Sequence, residues 1–203
     1  MGLRWFDDGG GLLARHCVAI SLIGLDQPAE AATRLERLAL DSPPTDQENR
    51  VVFLTQAAHA WSLGGQPRRA DTLLSDLLTA APHDLSLRLD RAAVRLELEE
   101  NWKAIDDLDA VLESEPDNIE ALLYRASAYR YVDALDLART DVDRVLAQAP
   151  DIPEAWLELG ILLQFEGNFE GTRRAWAEAL RLAPSGPVAN AVRARLEEMD
   201  VIR

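Results

Sequence analysis

Pro82, Pro116, Pro150 and Pro184 stand 34 residues apart over three consecutive intervals. Proline makes up about one residue in twenty here, so three further hits at a fixed offset arise by chance on the order of once in ten thousand. A fixed period of this length means that the chain is a stack of one repeated unit, not a domain around one central core.

A frame beginning at Val51, Leu85, Ile119 and Pro153 aligns four units without a gap. Position 8 is then Ala58, Ala92, Ala126 and Gly160, and position 20 is Ala70, Ala104, Ala138 and Thr172. Position 24 is Leu74, Leu108, Val142 and Trp176, position 27 is Leu77, Val111, Val145 and Ala179, and the prolines occupy position 32. Positions 4, 8 and 11 make one stripe at helical spacing and positions 20, 24 and 27 a second. Between them lie turn signals, Gly64-Gly65-Gln66-Pro67 in one unit and Glu166-Gly167-Asn168 in another. Each unit therefore reads as helix, turn, helix, with proline closing the second helix because it lacks an amide donor and disfavours helix in the residue before it. Asp84 and Asn118 are expected to cap the helices that follow, and Pro153 suits a first turn. The small residues at 8 and 20 let two helices joined by a short turn approach closely.

Small, small and proline at 8, 20 and 32, with an aromatic or leucine around them, resembles the tetratricopeptide repeat (TPR) family. The stretch from Pro153 to Gly186 carries the resemblance best, with Trp156, Leu159, Gly160, Gly167, Trp176, Ala179 and Pro184 where the family's motif places such residues. The resemblance implies an all-α fold, a right-handed α-solenoid of antiparallel helix pairs. Starting the frame at Leu12 exposes a degenerate further unit, with Ala19, Ala31, Leu35, Leu38 and Pro43 at positions 8, 20, 24, 27 and 32. The expected organisation is a remnant of an N-terminal helix or linker over 1–11, a degenerate repeat over 12–45 and an insertion over 46–50. Full repeats follow over 51–84, 85–118, 119–152 and 153–186, and a C-terminal capping helix over 187–203. The insertion should lengthen a loop or extend a helix end. The cap is expected because an open solenoid end exposes an apolar face, and Val188, Ala191, Val192, Leu196 and Met199 fall on one side of that last segment.

Leu3, Trp5 and Phe6 are apolar residues in a piece too short for a stable helix alone. They read as the tail of a helix that begins further upstream. The stretch from Gly9 to Ala39 also resembles a group of bacterial TPR proteins exported to the periplasm, in which a signal and one more helix come first. A periplasmic location is the expectation from that resemblance, a cytoplasmic one the alternative, since this sequence shows no signal-peptide layout.

The charge narrows the partners. With 35 acidic against 21 basic residues the net charge is −14, which disfavours nucleic acid and anionic membrane surfaces. No stretch has the length to span a bilayer; the longest apolar run, Cys17 to Leu25, reads as a buried helix. One cysteine excludes an intrachain disulfide and a cysteine-cluster metal site. His16 and Cys17 point about 100° apart on a helix and make no nucleophile–base pair with each other, and no second histidine completes a metal pair. Gly9-Gly10-Gly11 lacks the lysine and hydroxyl of a phosphate loop. Asp106, Asp107 and Asp109 read as a solvated acidic face rather than a calcium loop. Neither catalysis nor a cofactor is expected.

What remains is protein binding. In TPR arrays the first helix of each unit lines the concave surface through positions 2, 5, 9 and 12. Carried over, the candidate peptide-binding residues are Thr55 and His59, then Leu89, Ala93 and Leu96. In the last two units they are Leu123, Ser127 and Arg130, with Tyr124 beside them, followed by Leu157, Ile161 and Gln164. Carboxylate-clamp members use Lys and Asn at positions such as 5 and 9. Mostly aliphatic or small residues stand there in this chain, so that clamp is not expected. The resemblance implies a scaffold that binds a peptide or helix largely through apolar contact. The alternatives are an architectural module, self-associating through its N-terminal end, and an accessory subunit of a cell-envelope assembly complex.

Overall fold

The computed structural model describes residues 11 to 201, so the N-terminal remnant expected over 1–11 lies outside the described residues except for Gly11. Among the described residues there are eleven helices and no strand. They are α1 (Gly11–Gly24), α2 (Pro28–Asp41), α3 (Gln47–Leu63), α4 (Pro67–Ala80), α5 (Leu85–Glu97) and α6 (Asn101–Ser114). The others are α7 (Ile119–Tyr131), α8 (Leu135–Gln148), α9 (Pro153–Phe165), α10 (Phe169–Leu182) and α11 (Pro187–Val201). Five helix pairs and a final helix make up the all-α array expected from the proline period.

The helix ends follow local chemistry. The second helices α2, α4, α6, α8 and α10 each stop two residues before the proline of their unit, as expected where the next amide is missing and the preceding residue is pushed out of helical space. Asp84 accepts a hydrogen bond from the Leu87 amide at 3.1 Å, and Asn118 accepts one from Ala121 at 3.0 Å. Both caps are those anticipated. Asn168 does the same for Gly171 at 3.0 Å.

Every turn inside a pair closes in one way. Asp26, Gly65, Glu99, Asp133 and Gly167 all have φ between 59° and 74°, and all stand at position 15 of their unit. The amide of the next residue bonds back to a carbonyl five residues earlier: Gln27 to Leu22, Gln66 to Trp61, Glu100 to Arg95, Ala134 to Tyr129 and Asn168 to Leu163, at 2.8–2.9 Å. This is a Schellman closure, which satisfies carbonyls that the helix end leaves over. The five-residue insertion is absorbed at the other end. Helix α3 has 17 residues where α5, α7 and α9 have 13, so residues 47 to 50 form an added first turn.

Packing divides the chain into two compact units, one up to Glu100 and one from Asn101. In the first, α1 to α5 pack each on the next, and α3 also touches α5. Leu35, Leu38, Phe53, Trp61 and Leu74 fill its core. In the second, α6 to α11 do likewise, and first helices again lie side by side: α7 touches α9, and α9 touches α11. Thr172 is fully buried at the small position 20, and its hydroxyl donates to the Asn168 carbonyl at 3.0 Å. The cap helix α11 buries Val188, Val192 and Met199 against Ile161, Trp176 and Ala179.

Two expectations are corrected. The run from Cys17 to Leu25 is not buried: Ala19 is, whereas Cys17 is exposed and Leu25 is 66% exposed. Its helix covers the core on one side only. Nor is the Asp106–Asp109 segment a solvated face throughout. Asp107 is buried, and Asp109 takes one end of Arg125, whose Nε and Nη2 donate to the buried Asp141 at 2.8 Å. The apolar stripe of α6 is wide enough to carry Asp107 inward.

Candidate functional site

The first helices α7 and α9 of the second unit lie side by side, and the sequence at their N-terminal halves decides what the surface between them presents. Ile119, Leu123 and Tyr124 come from α7 and Leu157 from α9. All four are half-buried, so each keeps part of its side chain open to a ligand. Together they form the apolar lining of a concavity of about 500 Å³. Glu120 and Glu154, exposed in the first turns of the two helices, stand at its edge, and Glu158 closes one wall. First-turn glutamates also complement the positive helix ends, so their location has a local cause.

Glu158 is buried, and it is paired. Arg130 Nε donates to its Oε1 at 2.5 Å, and the guanidinium also reaches Ser127 Oγ at 3.2 Å. The same guanidinium lies 4.5 Å from the Tyr131 ring centre. Burial disfavours the charge on Arg130, but the hydrogen bond and charge of Glu158 outweigh it, and the guanidinium holds its proton more tightly than a free one. Arg130, expected to face a ligand, is thus already engaged by the protein, and it serves as a support for the wall.

The other candidates divide. Leu123, Tyr124 and Leu157 come together in the pocket. Ser127 lies on the Arg130 side, and Gln164 is half-buried at the far end of α9. Ile161 is a correction: it is 3% exposed, packed with Trp176 and Val192 beneath the cap helix, and belongs to the core. In the first unit Thr55 is half-buried and His59 exposed on α3; Leu89, Ala93 and Leu96 are half-buried on α5. Ser62 links these two helices by donating to the Glu97 carboxylate at 2.6 Å. Sequence reasoning missed Ile119 and Glu158. The signal for Glu158 was present: a lone charge inside Trp-Leu-Glu-Leu-Gly-Ile-Leu-Leu, where a buried carboxylate requires a cationic partner.

No protein-family model matches the sequence. Several solved structures share its architecture. A tetratricopeptide repeat protein from Parabacteroides merdae superposes with a TM-score of 0.73 at 21% identity, over 94% of this chain and 74% of that one. A thermophilic TPR protein from Thermus thermophilus gives 0.72 at 20% identity, over 93% and 98%. The chain has the tetratricopeptide repeat fold. A third TPR-like neighbour is MamA from Desulfovibrio magneticus RS-1, with a TM-score of 0.69 at 19% identity over 84% of this chain and 94% of that one. By sequence, the chain is 21% identical over 161 residues to mouse Protein O-mannosyl-transferase TMTC1, covering 77% of this chain and 17% of that protein. It is 34% identical over 74 residues to mouse Sperm-associated antigen 1, covering 36% of this chain and 8% of that protein. The chain thus spans less than a fifth of the length of the curated relatives it matches. Among the described residues no helix is long and apolar enough to cross a membrane.

Proposed function

We propose that this chain is a protein-interaction scaffold without a catalytic step of its own, and that its second unit holds a peptide or helix segment in the pocket between α7 and α9. The observation that carries this reading is the pocket lining. Four half-buried apolar side chains converge on an open concavity, on the helix face that repeat solenoids use for binding. A site built this way gains affinity from apolar area, with a few polar groups to fix orientation. The transferase named among the relatives is matched over 17% of its length, and its activity is not carried to this chain. Self-association through the N-terminal end, the alternative reading, rests on residues outside the described ones.

The test is a peptide-display selection on the folded chain, followed by calorimetry of the selected peptide against wild type and a Leu123→Glu/Tyr124→Glu variant. Affinity should fall by more than about tenfold, as loss of a central apolar anchor costs, with the helical circular-dichroism signal unchanged. Equal affinity places the site elsewhere.

A further inference from the structure

Resting on that reading, we propose that the occupant of the α7–α9 pocket is a cationic, apolar segment: a hydrophobic side chain docked on Leu123 and Leu157, with a neighbouring Lys or Arg held by Glu120 and Glu154. The argument is one of charge around an apolar floor. Three carboxylates border the concavity, Glu120, Glu154 and Glu158. Arg130 offsets Glu158, and the N-terminal ends of α7 and α9 contribute about half a positive charge each. The balance is still negative by about one charge. The surroundings do not reverse it, because the stretch from Asn101 onward carries 20 acidic against 11 basic residues.

The two rim glutamates are exposed and the apolar lining is half-buried, so a ligand meets carboxylates at the edge and carbon at the floor. Lys and Arg match such a site, since their alkyl stems lie along apolar surface while the charged head stays at the wet rim. An acidic or C-terminal carboxylate ligand would face like charges, a repulsion that excludes wrong partners. The Glu158 carboxylate adds direction. Its Oε1 takes the short bond from Arg130, while Oε2 stands 3.5 Å from Arg130 Nη2, which leaves Oε2 only weakly engaged by that arginine.

The experiment uses three synthetic 12-residue probes, titrated by calorimetry into the full chain at low salt, about 50 mM, where screening is weak. One is built of Leu, Ala and Lys; its twins replace every Lys by Glu, or every Leu by Ser. The Lys probe should bind at least about tenfold more tightly than either twin. Glu120→Gln with Glu154→Gln should weaken the Lys probe by a similar factor and flatten its salt dependence. Asp106→Asn with Glu113→Gln, which removes two exposed carboxylates from α6 of the same unit, should change it less than about twofold. Equal loss in that control, or no loss in the Glu120/Glu154 variant, overturns the proposal. Tight binding of the Glu probe that Leu123→Ser/Tyr124→Ser abolishes overturns the cation preference but leaves the pocket. Lys-probe binding that survives the uncharged Leu123→Ser/Tyr124→Ser variant removes the pocket reading itself.

Discussion

Gly160 has no room for a side chain. A Cβ there would stand 2.1 Å from Trp176 Nε1, and that indole also donates to the Leu157 carbonyl at 3.1 Å. In the other full units the same two positions hold alanine with leucine or valine, so volume lost at position 8 is regained at position 24. This exchange conserves packing density in the only way a close-packed pair allows. Gly160→Ala should therefore destabilise the chain by about 2 kcal/mol, and adding Trp176→Leu should recover part of that loss, read as non-additivity in chemical denaturation. A small residue at 160 was legible from the frame; its obligate glycine was not, because that depends on a partner 16 residues away. Ile161 and Asp107 fail in the sequence for a related reason. Helical spacing places a side chain on a face, but the neighbouring helix decides whether that face is covered.

Helix pairs obey the frame more strictly than their composition does. The turn at position 15 adopts a left-handed backbone in all five, yet only Gly65 and Gly167 advertise it; the rest are Asp26, Glu99 and Asp133. The backbone bonds of the closure are the same for any residue, and the left-handed cost to a non-glycine, roughly 1 kcal/mol, is small enough for the pair to carry. Gly167 makes a clean test, since nothing lies within 4 Å of a Cβ there. Gly167→Ala should lower stability by about 1 kcal/mol through backbone strain alone, whereas Asp133→Gly should raise it by about 0.5 kcal/mol. Parallel urea titrations would show opposite shifts in midpoint with unchanged slope. The inserted residues up to Arg50 show the same hierarchy. Their count was plain in the sequence, but whether they join a loop or a helix turned on the helical competence of Gln47-Glu48-Asn49-Arg50.

For the whole molecule, stability is a sum of neighbour interfaces, which makes an end more sensitive than its size suggests. The cap helix α11 covers Trp176, Ile161 and Ala179 with Val188, Val192 and Met199, each worth about 2 kcal/mol when buried. Deleting residues 187–203 should lower both Tm and solubility by uncovering that patch; an unchanged melting curve would mean that α11 does not act as a cap. The array and its cap were legible because a repeat states each rule several times, so errors in one unit are outvoted by the others. The proposed binding site is stated once. Its pocket depends on Ile119 and Glu158, single residues outside the recurring positions, and no repetition marks them.

From Val51 onward the prolines, the left-handed turns and the helix ends all keep one 34-residue spacing, set by backbone bonds and not by any one side chain. Length is therefore a modular property of this chain. A copy of residues 119 to 152 placed before Pro153 would meet matching faces on both sides, so the scaffold can grow by whole units while each existing surface keeps its chemistry.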